Sequence, residues 1–493
     1  MSYLIAIDQG TTGTTSLLLD AQTLEIKAKN KQDYRQIYPK PGLVEHDLND
    51  IWKSVEDSLD KLFQSAKVNP KEIIAIGITN QRETTCAYTR AGVPLTHAIV
   101  WQDRRTAHYC DERRSEYEKV CREKTGLPLD PYFSGTKMRW MLDHVKEVKA
   151  AADKGDLCLS TVDTFLVHKL TDGASFVTET SNASRTMLMN LSTQKWDDGL
   201  LSFFGIDKSF LPEIKDSFTE FGKTKNVHFL PDGIPILSIL GDQQAALFGQ
   251  ACVNVGDLKS TYGTGAFLVL NTGEKLVRSK TGLLSTIAYT HKGKTVFALE
   301  GSAYIAGAAV QWLRDNLKCI VTSPEVETLA KSVTDLDQMK PLLFMPFFTG
   351  IGTPYWNSEA KAAIIGITRG TDNTHIARAC LEGIALSLND SVSSFKHDFP
   401  NLNAIKVDGG AAANDLLMQM QANFSNQKIL RPKVIDTTAY GVAMGCLVAL
   451  GKITIEEMPK FWKLEKEFNP DNNNYYPEKK ALWDSTIAKL YLS

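Results

Sequence analysis

Residues 3–20 read YLIAIDQGTTGTTSLLLD. Tyr3 to Ile7 form an apolar run with strand character, and Asp8 ends it. A segment with two glycines and four threonines then leads straight back into Ser16-Leu17-Leu18-Leu19. Two readings fit. One is a tight hairpin. The other is a phosphate cradle, in which glycines let backbone N–H groups approach an anion, threonine hydroxyls add donors, and the aspartate holds a metal.

The same grammar recurs further along the chain. Tyr262-Gly263-Thr264-Gly265 sits between two apolar runs in Leu258–Leu270. Glu300-Gly301-Ser302-Ala303 runs through to Gly307 and reads as a turn entering a helix. Val407-Asp408-Gly409-Gly410-Ala411-Ala412-Ala413-Asn414 reads as strand, double-glycine turn and helix. Any one of these is ordinary turn chemistry, but four in one chain favour phosphate. The first two echo one another, one in each half, which points to two related domains facing a shared cleft. The boundary is placed near residue 250, giving domains 1–250 and 251–493.

At 493 residues the chain exceeds what one core supports. The apolar run Ile73–Thr79 suits a strand covered on both faces. Helical patterns are read at 51–66, 136–148, 242–251, 301–316, 375–395 and 412–423. The mixture predicts α/β architecture. The 55 basic and 57 acidic residues nearly cancel, so bulk charge gives no reason to expect nucleic acid or an anionic membrane. The eight cysteines are scattered with no C-x-x-C, as in a reduced cytoplasmic protein. No secretory signal and no stretch long enough to cross a membrane are read.

Known nucleotide signatures are missing. There is no G-x-x-x-x-G-K-[ST], no G-x-G-x-x-G after a strand, and no protein-kinase set. Any phosphate is held on another scaffold. Three polar clusters complete the pattern. Thr79-Asn80-Gln81-Arg82-Glu83-Thr84-Thr85 places an acid beside a base at a strand end. Val100-Trp101-Gln102-Asp103-Arg104-Arg105 offers either a core tryptophan or a stacking wall. Gly241-Asp242-Gln243-Gln244 joins an apolar run to a helix, so Asp242 is either an N-cap or a carboxylate that takes a proton from a substrate hydroxyl.

Taken together, these strings resemble the FGGY carbohydrate kinases, and among them the glycerol kinases, within the actin/Hsp70/hexokinase-like ATPase fold. The resemblance spans nearly the whole chain: DQGTT, QIYPKPGLVEHDLNDIW (36–52), NQRETT (80–85), IVWQDRRT (99–106), DPYFSGTK (130–137), TETSNASRTML (178–188), GDQQAALFGQ (241–250), TYGTGAF (261–267), ALEGSAYIAGAAVQWLRD (298–315), TGIGTPYW (349–356) and VDGGAAAND (407–415). It implies two RNase H-like domains closing over a cleft, the first holding glycerol and the second the nucleotide. It implies transfer of phosphate from ATP to glycerol, with Asp242 as general base. Arg82, Glu83, Tyr132, Asp242 and Gln243 would hold glycerol, with Trp101 and Phe267 as walls. Thr11, Thr12, Gly13, Thr15, Thr264, Gly307, Gln311, Gly410 and Asn414 would surround the nucleotide. Asp8 would position magnesium through water. A homo-oligomer, dimer or tetramer, is the expected assembly. The alternatives are another FGGY sugar or polyol kinase, or a weakly catalytic sensor that binds nucleotide or glycerol.

The chain departs from the family pattern in three places. Thr15 stands where the family often has an arginine reaching the phosphates. The segment KTKNVHFLPDG (223–233) lacks the glycine-lysine loop that binds fructose 1,6-bisphosphate in some members. The same segment carries Val227-His228-Phe229, loosely similar to a loop phosphorylated by a phosphotransferase-system carrier in certain relatives. A plain exposed histidine fits His228 as well.

Overall fold

A computed structural model describes residues 2–471 and 473–492. Two twisted sheets form its frame. The first contains β1 (Tyr3–Gln9), β2 (Gly13–Asp20), β3 (Ile26–Asp33), β4 (Ile73–Asn80), β5 (Phe218–Lys223) and β6 (Pro235–Gly241), in the order β5-β6-β4-β1-β2-β3. The second contains β7 (Leu258–Tyr262), β8 (Ala266–Gly273), β9 (Leu284–His291), β10 (Lys294–Ala303), β11 (Ile405–Asp408), β12 (Ile429–Pro432) and β13 (Leu464–Phe468). Its order is β9-β10-β8-β7-β11-β12-β13.

The internal echo is a repeat of topology. In each sheet three antiparallel strands (β1-β2-β3; β7-β8-β10, with β9 added beyond β10) give way to parallel strands (β1-β4-β6; β7-β11-β12) and an antiparallel edge strand. Parallel neighbours end on the same side of a sheet, and ligands gather beyond those carboxyl ends. Asp8 lies at the end of β1, Arg82 and Glu83 just past β4, Asp242 just past β6, Thr264 past β7 and Gly410 past β11.

Helices cover both faces. On the outer face of the first sheet, Ile51, Val55 and Leu59 of α1 (Leu48–Ala66) and Phe165 of α2 (Val162–Leu170) join Ile5, Ile7 and Ile76 in one buried cluster. On the outer face of the second, α4 (Gly307–Asp315), α5 (Asn373–Asp398), α6 (Asp415–Ser425) and α8 (Tyr475–Tyr491) enclose Leu258, Tyr262 and Leu268. Between the sheets lie α3 (Asp242–Gly249), which follows the first sheet and packs on the second, and α7 (Thr437–Ala449), from the second half, which packs on β4, β6 and β1. They cross where Gly249 meets the Thr437 carbonyl and Gly441 meets the Ala245 carbonyl, so a methyl on either would strike backbone.

Three expectations need correction. The helix read at 301–316 starts only at Gly307, and Glu300–Ala303 belongs to β10, buried between β8 and β9, so the third glycine-rich stretch is strand rather than turn. The helix read at 136–148 is two, Ser134–His144 and Lys146–Asp153, broken at the extended Val145. The helix read at 412–423 is a short 3₁₀ turn, Gly410–Ala413, followed by α6, because Asn414 caps the N–H of Leu417 and restarts the chain.

Candidate active site

The opening segment is a hairpin between β1 and β2. Its carbonyls are all occupied by the protein. Tyr34 Oη lies 2.7 and 2.8 Å from the oxygens of Gly10 and Thr11, Gln36 Nε2 donates to Thr11 O at 3.0 Å, and Tyr34 N–H donates to Thr12 O at 3.2 Å. The N–H groups of Thr11 and Thr12 have no partner among the described residues. Turning the acceptors inward and leaving the donors outward is what an anion site requires. The second turn repeats this. Thr264 O accepts from Ala306 and Ala308, Gly263 O accepts from Gly307, and the N–H of Thr264 has no partner among the described residues.

A cavity of about 320 Å³ opens beside that second turn. Thr264, Gly307, Gln311, Gly410 and Asn414 line it together with Glu327. Gly307 carries the close approach, since a Cβ there would lie 2.7 Å from Gly263 O. Thr11, Thr12, Gly13 and Thr15 belong to the opposite half.

Glu83 stands in a three-residue turn closed by Thr84 N–H on Arg82 O at 2.7 Å, with φ +59°, a conformation costly for a residue with a Cβ. Its carboxylate accepts from Arg185 Nε at 2.6 Å. Burial raises the Glu83 pKa despite Arg185 and Arg82. Trp101 presents its ring edge-on to Tyr132 at 5.7 Å and to Phe267 at 6.3 Å, and its indole N–H donates to Thr11 Oγ1 at 3.0 Å. One tryptophan thus joins an aromatic cluster to the opening turn.

Asp242 is not the N-cap of α3. Gly241 holds that place and Asp242 is the first helical residue. Its Oδ1 accepts from Gln243 N–H at 2.7 Å and lies 3.1 Å from Arg82 Nε, while Oδ2 has no partner among the described residues. One oxygen is anchored and the other is free.

Arg82 itself is largely committed to the protein. Nη1 donates to Glu300 Oε2 at 2.5 Å and to Gln244 Oε1 at 3.2 Å, and Nη2 donates to Glu300 Oε1 at 2.9 Å. Of its N–H groups, one on Nη2 is left for a ligand. Burial alone would raise Glu300, but Arg185 and Arg82 hold it down to about 2. Sequence reasoning missed Glu300, Arg185, Lys137 and Lys259. Glu300 lies in a stretch expected to be a turn, and Arg185 and Lys137 lie inside SNASRTML and DPYFSGTK, whose spacing marks neither of them. Lys137 donates to the carbonyls of Tyr132 (2.5 Å) and Phe133 (3.4 Å).

Asp8 keeps some open surface, and its carboxylate makes no hydrogen bond or ion pair among the described residues. Burial, then the like charges of Asp242 and Asp436, push its pKa to about 7, against a partial offset from Lys29. Such a carboxylate fits a role beside a bound cation. Thr15 lies directly opposite Asp8 in the β1–β2 ladder. His228 is not brought to these groups. It lies against α1, 3.4 Å from Asp60 and 3.8 Å from Glu56, with 63% of its side chain exposed.

Two family models cover this frame. Residues 3–249 match the N-terminal domain of the FGGY family of carbohydrate kinases, and residues 258–450 match its C-terminal domain. The chain belongs to the FGGY carbohydrate kinases. It is 49% identical over 474 residues to a glycerol kinase of Myxococcus xanthus, covering 95% of each chain. It is 44% identical over 498 residues to a glycerol kinase of Staphylococcus epidermidis, covering 99% of each. The crystal structure of Plasmodium falciparum glycerol kinase with ADP superposes with a TM-score of 0.91 at 34% identity, covering 100% of this chain and 99% of that one. The FGGY fold is therefore shared along the full length.

Proposed function

We propose that this chain transfers the γ-phosphoryl group of ATP to a terminal hydroxyl of glycerol. The observation that carries the reading is Asp242, with one anchored and one free carboxylate oxygen, linked through Arg82, Arg185 and Gln243 to Glu83 and to the rings of Tyr132, Trp101 and Phe267. Glycerol is nearly all hydroxyl, and a buried polar group left unpaired costs about 1–3 kcal/mol, so its pocket needs such a set. The glycerol hydroxyl gives its proton to Asp242 Oδ2 as its oxygen bonds to the γ-phosphorus. The bond from that phosphorus to the β–γ bridging oxygen breaks, and ADP leaves. Positioning and charge supply most of the catalysis in such a transfer.

The division of labour follows the two sheets. Residues 1–250 hold the acceptor and the Thr11-Thr12-Gly13 turn. Residues 251–493 hold the nucleotide through Thr264, Gly307, Gln311, Gly410 and Asn414, with Phe267 reaching across to the acceptor. Magnesium arriving with ATP would lie near Asp8, bridged by water, and would supply neutralisation of phosphate charge. A coupled ADP-release assay with glycerol, xylulose, ribulose and no sugar tests the reading. Turnover on a ketose alone would reassign the chain to another FGGY kinase, and no turnover would leave a sensor.

No described helix is long and apolar enough to cross a membrane, and the cysteines are free. Thiols of this kind suit the cytoplasm, where we place the protein. We expect a dimer or tetramer, which light scattering checks. His228 is the proposed acceptor of a phosphoryl group from a phosphotransferase-system carrier. Phosphate there would repel Glu56 and Asp60 and loosen the loop from α1. Intact mass after incubation with carrier and phosphoenolpyruvate decides it.

A further inference from the structure

Lys259 lies on β7 at the centre of the second sheet, with no exposed surface. Strand alternation turns Leu258 and Tyr262 to the outer helices and Lys259 and Thr261 inward, toward α3. No carboxylate comes within 4.0 Å of its ammonium among the described residues. The nearest anions in effect are Asp408, Asp242 and Glu300, and burial holds its pKa down to about 8. A buried cation without an ion pair is costly, and an apolar side chain of the same length would fill the space at less expense.

The three protons of Nζ are all taken. One goes to Thr261 Oγ1 at 2.9 Å, one to Phe267 O at 3.4 Å, and one to Oε1 of Gln243 on α3. None is left for a ligand. The contact to Gln243 settles an orientation. An ammonium can only donate, so the amide oxygen of Gln243 must face Lys259, and its NH₂ must face away. That NH₂ has no partner among the described residues, and Gln243 adjoins Asp242. The other contacts tie the ammonium to Phe267, a wall of the same pocket. Lys406, opposite Lys259 on β11, donates to the carbonyls of Gln250 and Ala251 at the far end of α3.

We propose that Lys259 is a positioning residue of the acceptor site: from the nucleotide half it locks the Gln243 amide so that only N–H is offered to the acceptor, whose hydroxyl must take a hydrogen bond there. Side by side, Asp242 accepts and Gln243 donates, which gives the polyol one direction across the pocket. This rests on the acceptor reading above.

The test is a double-mutant cycle of Lys259→Met and Gln243→Ala, read by ADP release with glycerol, 1,2-propanediol and 1,3-propanediol. Lys259→Met should raise KM for glycerol roughly 10- to 100-fold, the scale of one unpaired buried polar group. It should leave KM for ATP unchanged and add little in the Gln243→Ala background. The preference for glycerol over the diol lacking the Gln243-bound hydroxyl should shrink. Equal losses for ATP and glycerol, multiplicative effects in the double variant, or an unchanged diol preference would overturn the proposal. Should Lys259→Met not fold, Gln243→Glu gives the answer. It pairs with Lys259 but offers no N–H, so KM for glycerol should rise while the melting temperature holds, and an unchanged KM refutes the idea. Wild-type turnover on glycerol tests the acceptor reading by itself. The variant-to-wild-type ratio, on whichever polyol the wild type accepts, tests Lys259.

Discussion

The turns at 10–12 and 263–265 both spend their carbonyls on the protein and are held in different ways. In the first, the carbonyls of Gly10 and Thr11 are held by side chains, those of Tyr34 and Gln36. In the second, the carbonyls of Gly263 and Thr264 are held by the backbone N–H groups of Ala306, Gly307 and Ala308 at the start of α4. A repeated topology thus turns the carbonyls of both turns toward the protein while changing what holds them. The first turn can be altered by changing a side chain outside it. The second can be altered only by disturbing main chain.

The largest effect belongs to the chemistry that the first half holds. Asp242→Asn keeps the shape but cannot take a proton, so kcat should fall by about 10²–10⁴ while ADP binding by calorimetry stays put. Retention of more than about a tenth of kcat would remove Asp242 from the role of base. Next come the turns themselves. Gly307→Ala pushes a methyl against Gly263 O and should weaken ADP roughly tenfold, with glycerol binding untouched. Tyr34→Phe, which removes one side-chain donor from the first turn and leaves Gln36 on Thr11 O, should lower kcat/KM for ATP by roughly threefold to tenfold. If the two variants disturb the same parameter equally, the contrast between side-chain and backbone enforcement fails.

Thr15→Arg sharpens the comparison from the other side. It would place a guanidinium opposite Asp8, where Lys29 now acts only at longer range. We expect kcat/KM for ATP to rise severalfold with glycerol KM unchanged. A lower value in a folded variant would show that the site is already balanced.

The smallest effect is on stability. Folding raises the Asp8 pKa from 3.8 to about 7. The folded chain therefore keeps a proton that the unfolded chain releases, and this contribution to stability declines as pH rises between about 4 and 7. Asp8→Asn should melt a few degrees above wild type at about pH 8, with the gap closing toward about pH 4. Thermal scans across that range check the sign.

Much of this was legible in the chain itself. A strand, a turn of glycine and threonine and a returning strand announce the β1–β2 hairpin, because glycine suits a tight reversal. Asp242, Glu83 and Trp101 were legible because each ends or follows an apolar run. Glu300 was not, since its partner Arg82 lies 218 positions away and only sheet packing brings them together. Nor was Lys259, which looks like one more charged residue until the strand turns it inward. Helix α7 escaped because it is covered all round: its residues from Ala439 to Val448 are buried, so there is no polar face to mark a period.

The crossing of α3 and α7 bears on how the protein is made. The inner face of the first sheet, formed by residues 3–241, is closed by Thr437–Ala449. A ribosome that has finished the first half has produced a sheet with one side bare, and about two hundred more residues must emerge before its cover exists. The finished amino-terminal half thus waits through most of the synthesis of the second half for its own carboxyl-terminal segment. Cutting the gene between the family's two domains would leave each half with a helix belonging to the other.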